Sequence, residues 1–165
     1  MRLIDEVQIV GGFKPVDMQT AANDADCVSL KNYRNCAVIL YKGIGTAHQD
    51  PVLTFYQSKT VAGGDEKALA TITGYHYKQG ADLALIGEFS EATQAAGATV
   101  TLNATSAEAA GIYVFSIADS DLDDGFSCFR VSVADVGGNA QLGCLLYILS
   151  NPRHAGDPMV SAIVD

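Results

Sequence analysis

The chain has 165 residues, of which 48% are hydrophobic and 18% charged, so it is long and apolar enough to bury a core as one domain. Its net charge of −9 argues against direct nucleic-acid binding, because a phosphate backbone attracts a basic surface. No apolar run approaches the roughly 20 residues that cross a bilayer, which argues against a membrane partner. Acidic residues stand where a signal peptide would stay apolar, so we expect synthesis in the cytoplasm.

Residues 1–26 show no convincing amphipathic period. Glycine and proline interrupt the segment at Gly11, Gly12 and Pro15, as is typical of extended chain. We predict an extended N-terminal arm over 1–26, ahead of a folded domain over 27–165. The arm has apolar residues that we expect to contact a neighbouring subunit, and a loose tail is the alternative. These contact residues are Val7, Ile9, Val10 and Phe13.

Several short apolar or alternating runs predict strands in the first two thirds of the domain. The run 36–41 is apolar on both faces, as in a central strand, and 52–59 and 69–78 alternate with period two. The run 99–102 is short and β-branched. Residues 90–98 are rich in alanine and glutamine, but the run is short and contains Gly97, so we expect at most one helical turn.

The segment 111–149 contains the three strongest strand patterns of the chain. They cover 112–118, 126–134 and 142–150, and acidic or glycine-bearing turns separate them. We predict that these three strands form an antiparallel meander. With the upstream runs, the pattern predicts an all-β fold, an antiparallel β-sandwich of about seven to eight strands with the extended N-terminal arm.

The residues that most often carry chemistry do not form a recognisable site. Gly-x-Ser-x-Gly, Walker and Gly-x-Gly-x-x-Gly patterns do not occur, so we expect no enzymatic activity and no cofactor. The cysteines match neither a zinc ribbon nor a CxxC motif, and buried free thiols are expected. The histidines lack the spacing of metal ligands, so no metal site is predicted. These residues are Cys27, Cys36, Cys128, Cys144, His48, His76 and His154.

Two clusters have both a structural and a functional interpretation. The run 119–124 carries four aspartates before Gly125, but Arg130 stands where a calcium loop needs its bidentate glutamate. A solvated turn is favoured, and cation binding stays open. A second cluster is formed by tyrosines near one another in the predicted sheet, for which cross-strand packing is favoured over a contact surface. These are Tyr41, Tyr56, Tyr75 and Tyr77.

Four segments of the chain resemble a known family. They are 28–33 (Val-Ser-Leu-Lys-Asn-Tyr), 123–126 (Asp-Asp-Gly-Phe), 145–149 (Leu-Leu-Tyr-Ile-Leu) and, above all, 131–143 (Val-Ser-Val-Ala-Asp-Val-Gly-Gly-Asn-Ala-Gln-Leu-Gly). With them the chain resembles a family of small tailed-bacteriophage virion proteins, from about residue 13 to its end. The shared motifs are structural, and no catalytic residue is carried over.

The resemblance implies a virion structural protein that decorates or cements the outside of the capsid shell. The implied partners are the major capsid protein and further copies of the chain, with a homotrimer expected because such proteins sit at symmetry axes. The acidic composition suits a surface that faces away from packaged DNA. A head–tail connector, a tail-tube protein and a carbohydrate-binding fibre-type sandwich are the alternatives.

Overall fold

The computed structural model describes residues 3, 6–154 and 159–164, and its 51% strand content makes the chain an all-β protein. No α-helix occurs within the described ranges, and so none that could span a bilayer. The strands are β1 (Gln8–Asp17), β2 (Asn23–Asp24), β3 (Val28–Ser29), β4 (Tyr33–Lys42), β5 (Val52–Ser58), β6 (Lys67–Ala68), β7 (Ile72–Gly80), β8 (Ser90–Gly97), β9 (Thr99–Thr101), β10 (Ala110–Ala118), β11 (Cys128–Val133) and β12 (Leu142–Pro152).

The strands form two packed antiparallel sheets. The first has the order β1-β12-β4-β10-β7-β8, and the second has the order β2-β11-β5-β6, with β3 paired to β11 and β9 to β5. The predicted antiparallel β-sandwich is therefore confirmed. The eight longer strands correspond to the predicted number, and two- and three-residue strands at the margins of the second sheet make up the rest.

The core lies between the inner faces of the two sheets. Strand β4 lies near the middle of the first sheet, as its apolar sequence predicts, and turns Cys36, Val38 and Leu40 into the core. Across the core the second sheet contributes Phe55 from β5, whose ring centroid lies 5.1 Å from that of Phe115. Burial of alternate residues from both sheets is what holds a sandwich together.

The predicted meander over 111–149 is wrong, although its three strands exist. Strands β10 and β12 both pair with β4 and lie on opposite sides of it, whereas β11 belongs to the second sheet. The connections 119–127 and 134–141 are longer than the two to five residues of a typical hairpin. They therefore carry the chain from one sheet to the other and back.

The N-terminal segment is also placed differently from the predicted arm. Residues 8–17 form strand β1, which pairs with β12 at the edge of the first sheet, and residues 23–24 pair with β11. The register of β1 shifts between Gly11 and Phe13 and again before Val16. These irregularities break the alternation of inward and outward residues, so β1 does not show the two-residue period of a strand in the amino-acid sequence. Residues 8–24 thus belong to the sandwich.

The segment 90–98, expected to hold at most one helical turn, is strand β8 over most of its length. It pairs with β7 and forms the other edge of the first sheet, with Ala92 packed against the core. Tertiary pairing overrides the weak helical preference of the alanines and glutamines here.

Candidate functional site

The outer face of the first sheet is the most unusual surface of the described chain. Residues directly opposite one another on neighbouring strands form apolar rows across β12, β4 and β10. One row joins Cys144, Tyr41 and Ile112, and the next joins Leu146, Ile39 and Val114. We call this surface the apolar face, and its members are Ile9, Ala37, Ile39, Tyr41, Ile112, Val114, Leu142, Cys144, Leu146 and Ile148.

Several members of the apolar face are open to solvent. Leu142 is 63% exposed, Tyr41 52%, Ile9 45% and Leu146 39%. Single exposed apolar residues are ordinary, but here they are neighbours on paired strands. From strand spacing and rise, the face spans roughly 14 Å across the strands and 20 Å along them, the size of a patch that often has a function.

The second sheet shows that this fold does not require an apolar outer surface. Its outer positions carry Thr54, Tyr56, Arg130 and Ser132, which are polar or charged at their tips. A sheet packed on one side normally alternates in this way, with apolar residues inward and polar residues outward. The first sheet departs from that rule on β12, β4 and β10, where the outward residues are mostly apolar.

Polar residues border the apolar face on the side of β7 and β8. Lys78 lies opposite Ile112, and His76 lies opposite Val114 and, on its other side, Glu91. The surface therefore passes from an apolar centre to a polar rim within two strands. This is the arrangement found in protein–protein interfaces.

A shallow pocket lies at one end of the apolar face. Its volume is about 220 Å³, and its walls come from strands β1, β4, β10 and β12. The lining is mostly apolar, and none of the lining residues carries a carboxylate. The lining residues are Pro15, Tyr41, Lys42, Gly43, Ala110, Leu142, Gly143 and Cys144.

Lys42 is the one charged residue of that lining, and its side chain points inward. It is 1% exposed, and its Nζ donates hydrogen bonds to the backbone oxygens of Ser106 at 2.5 Å and Ala109 at 2.6 Å. Burial lowers the pKa of Lys42 to about 8, while the charges of Asp50 and Glu108 act in the opposite direction. The ammonium thus ties the loop before β10 to the end of β4.

The four predicted contact residues of the N-terminal segment do not act together. Ile9 lies on the apolar face opposite Ile148. Val10 and Phe13 are partly buried and pack against the core, so they help to attach β1 to the sandwich. Val7 is half-buried just before the strand. Of the predicted set, Ile9 is therefore the member that the apolar face includes.

Three of the four aspartates in residues 119–124 have protein partners. Asp119 forms an ion pair with Arg153, and Asp121 accepts a hydrogen bond from the backbone of Ala118 at 2.8 Å. Asp123 accepts from Gln57 at 3.0 Å and pairs with Lys67 at 2.6 Å. These partners favour the interpretation of the segment as a structural turn. No group of three His, Cys, Asp or Glu residues in the described ranges is arranged to hold a metal ion.

The residues of the tyrosine and cysteine predictions range from buried to exposed. Tyr75 is 6% exposed, and its ring centroid lies 5.8 Å from that of Tyr77 and 5.2 Å from that of Phe115, so packing is confirmed for this pair. Tyr41, by contrast, lies on the apolar face. The four cysteines form no disulfide. Cys36 and Cys128 are buried as predicted, whereas Cys27 and Cys144 are only half-buried, so the prediction of burial is wrong for these two. Burial raises the pKa of the Cys36 thiol.

Most of the apolar face is not visible in the amino-acid sequence. Strand β12 reads as one continuous apolar run, so its sequence does not separate the inward residues Leu145 and Tyr147 from the outward residues Leu146 and Ile148. Continuity of this kind predicts a strand covered on both faces. Among the described residues the second sheet covers one face of β12, and the other face stays partly exposed.

In comparisons with known proteins, no family model, no curated protein and no solved structure matches this chain.

Proposed function

We propose that this chain is a structural protein of a tailed-bacteriophage virion that binds the outside of the capsid shell and stabilises it. The resemblance of segments such as 131–143 supports the phage assignment. The apolar face is the observation that carries the structural role, because neighbouring exposed apolar side chains without a charged residue among them suit a protein contact.

The proposed partners are the major capsid protein and further copies of the chain, with a homotrimer as the proposed form. The chain would be made in the host cytoplasm and would end on the surface of the virion. The net charge of −9 opposes association between copies of the chain. The apolar face carries no charged residue, so like charges do not oppose a contact there. The proposal involves neither catalysis nor a cofactor nor direct contact with nucleic acid.

The test is a stability measurement on phage heads that lack the protein. Purified chain is added, unbound protein is removed, and the heads are heated or exposed to low salt while release of DNA is followed. We expect heads with bound protein to survive harsher conditions than bare heads. Stoichiometric binding with no change in head stability would overturn the stabilising role. Assembly into rings or attachment to tails would support the connector or tail-tube alternative.

A further inference from the structure

The loop between β7 and β8 carries an apolar side chain, Leu85, that is more exposed than any residue of the apolar face. This β7–β8 loop covers residues 81–89. Leu85 at its tip is 83% exposed, and Phe89 near its end is 49% exposed. An apolar tip of this kind has an unfavourable surface in water unless a partner covers it.

The β7–β8 loop is held in a defined shape. Residues 83–85 form one 3-10 turn, whose first backbone groups are capped by Asp82, with Oδ1 accepting from the Ala84 amide at 2.9 Å. Lys78 donates from Nζ to the backbone oxygen of Gly87 at 2.9 Å, and its ammonium lies 4.6 Å from the ring centroid of Phe89. A braced loop loses little conformational entropy on docking, which favours association.

The loop and the pocket lie at the same end of the first sheet but towards opposite edges. Gly80, where the loop begins, pairs with Ala110, which lines the pocket. The other walls of the pocket lie on β4, β12 and β1, beyond β10 from the loop. A second copy that lies beside the first, in the direction perpendicular to the strands, therefore brings its β7–β8 loop towards the pocket of the first copy. Such a contact joins different surfaces of two copies and can continue around a closed ring.

Size and charge favour this occupant over a small molecule. The pocket volume of about 220 Å³ lies below the roughly 300 to 1,000 Å³ typical of ligand sites and suits one or two apolar side chains. The loop carries carboxylates beside its tip, at Asp82 and Glu88, and the pocket lining has none. The exposed Lys14, next to Pro15 of the lining, adds a positive charge at the rim.

We propose that the β7–β8 loop of one copy docks into the pocket of a second copy, with Leu85 as the inserted side chain. This contact rests on the proposed structural role, since it specifies how the subunits of the proposed oligomer join. It leaves the centre of the apolar face, around Ile39 and Leu146, available to the shell. Because the two docking surfaces differ, the association is head-to-tail.

The native Cys144 in the pocket allows a direct test by disulfide formation. The variant Leu85→Cys is oxidised mildly at micromolar concentration and examined on a denaturing gel without reductant. We expect covalent dimers and larger species, because each copy carries one donor and one acceptor. Val164→Cys is the matched control, since Val164 is 63% exposed but lies outside the pocket lining. The double variant Leu85→Cys, Cys144→Ser should lose the covalent species.

A second measurement is made without engineered thiols. Light scattering gives the mass of the wild type and of Leu85→Asp, and we expect the wild type to be oligomeric and the variant to be monomeric. A monomeric wild type, or an oligomer in which Leu85→Cys links no better than the control, would overturn the contact. Both measurements use the purified chain alone. Failure to bind phage heads would therefore overturn the proposed function while leaving this contact in place.

Discussion

The ammonium of Lys42 donates a hydrogen bond of 2.6 Å to the backbone oxygen of Ala109, and Lys42 is only 1% exposed. A second hydrogen bond goes to the backbone oxygen of Ser106. The cation is thus buried against neutral carbonyls, and burial outweighs the more distant carboxylates in lowering its pKa to about 8. One end of the sandwich is therefore closed by a group that titrates in a mildly alkaline range.

This group predicts a pH dependence of stability. Between about pH 8 and the ordinary lysine pKa of 10.5, the unfolded chain holds a proton that folded Lys42 has released. The unfolded state then binds more protons, so the contribution of Lys42 to the free energy of unfolding rises with pH across that window, by at most about 3 kcal/mol. Urea unfolding of the wild type and of Lys42→Met at several pH values measures this contribution.

The difference between the two proteins is the informative quantity in that experiment. Buried tyrosines such as Tyr113, whose pKa burial raises, titrate in both proteins and cancel. We expect the wild type to gain stability relative to Lys42→Met as the pH rises from 8 to 10. Parallel profiles would show that the pKa of Lys42 does not differ between the folded and the unfolded chain.

Strand β1 predicts unequal effects at two adjacent glycines. A Cβ at Gly12 would overlap the Leu145 side chain and lie 3.1 Å from both Ala25 and Tyr147, whereas a Cβ at Gly11 meets nothing within 4 Å. Gly12→Ala should therefore lower the free energy of unfolding by about 1 to 3 kcal/mol, as overpacking does. Gly11→Ala is the control and should change it by less than about 0.5 kcal/mol. Equal, small effects would support a free N-terminal arm instead of strand β1.

These glycines also show why the sequence predicted the strands better than their arrangement. The strands of 36–41 and 112–118 are visible as short, mostly apolar runs, and the strand of 52–59 is visible because its residues alternate with the strand period. Strand β1 is hidden because its period is broken at Gly11 and Phe13 by register shifts that only pairing with β12 explains. The placement of β11 in the second sheet depends on packing between distant segments, which local patterns do not encode.

The candidate site was predictable in part. The sequence predicts Ile9 as an apolar contact residue and the apolar runs of β4 and β12 as strands. Which of their side chains face outward depends on where the second sheet lies, and both faces of such a run look alike. The sequence does not identify Leu85 as a contact residue, because apolar residues in a short loop have no periodic pattern that shows which of them is exposed.

Arg130 predicts a stabilising polar contact on the second sheet. Its guanidinium binds both carboxylate oxygens of Glu66, at 2.6 and 2.7 Å, contacts Asp24 at 2.8 Å and lies 4.6 Å from the ring centroid of Tyr56. Arg130→Lys keeps the charge but loses the two-point geometry, so we expect a loss of about 1 kcal/mol in the free energy of unfolding.

A more exposed ion pair supplies the control for Arg130. Lys59 and Asp65 pair at 2.8 Å, but their side chains are 50% and 71% exposed. Lys59→Ala should change the free energy of unfolding by less than about 0.5 kcal/mol. Equal losses in the two variants would mean that the geometry at Arg130 adds nothing to a surface charge pair.

The apolar face predicts a separation of stability from binding at Leu146. Its side chain points outward and is 39% exposed, so Leu146→Glu should change the free energy of unfolding by less than about 1 kcal/mol. A carboxylate in the centre of the face should nevertheless weaken any contact made there, because the charge would lose its water. Val164→Glu, at the exposed position outside the apolar face, is the matched control and should bind like the wild type.

The most direct measurement is sedimentation of the purified wild type, Leu146→Glu and Val164→Glu with phage heads that lack the protein. We predict that the wild type and Val164→Glu sediment with the heads up to a fixed stoichiometry and that Leu146→Glu stays in the supernatant. Equal binding of all three proteins would contradict the assignment of the apolar face as the contact. A wild type that never sediments with the heads would contradict the capsid-binding role itself.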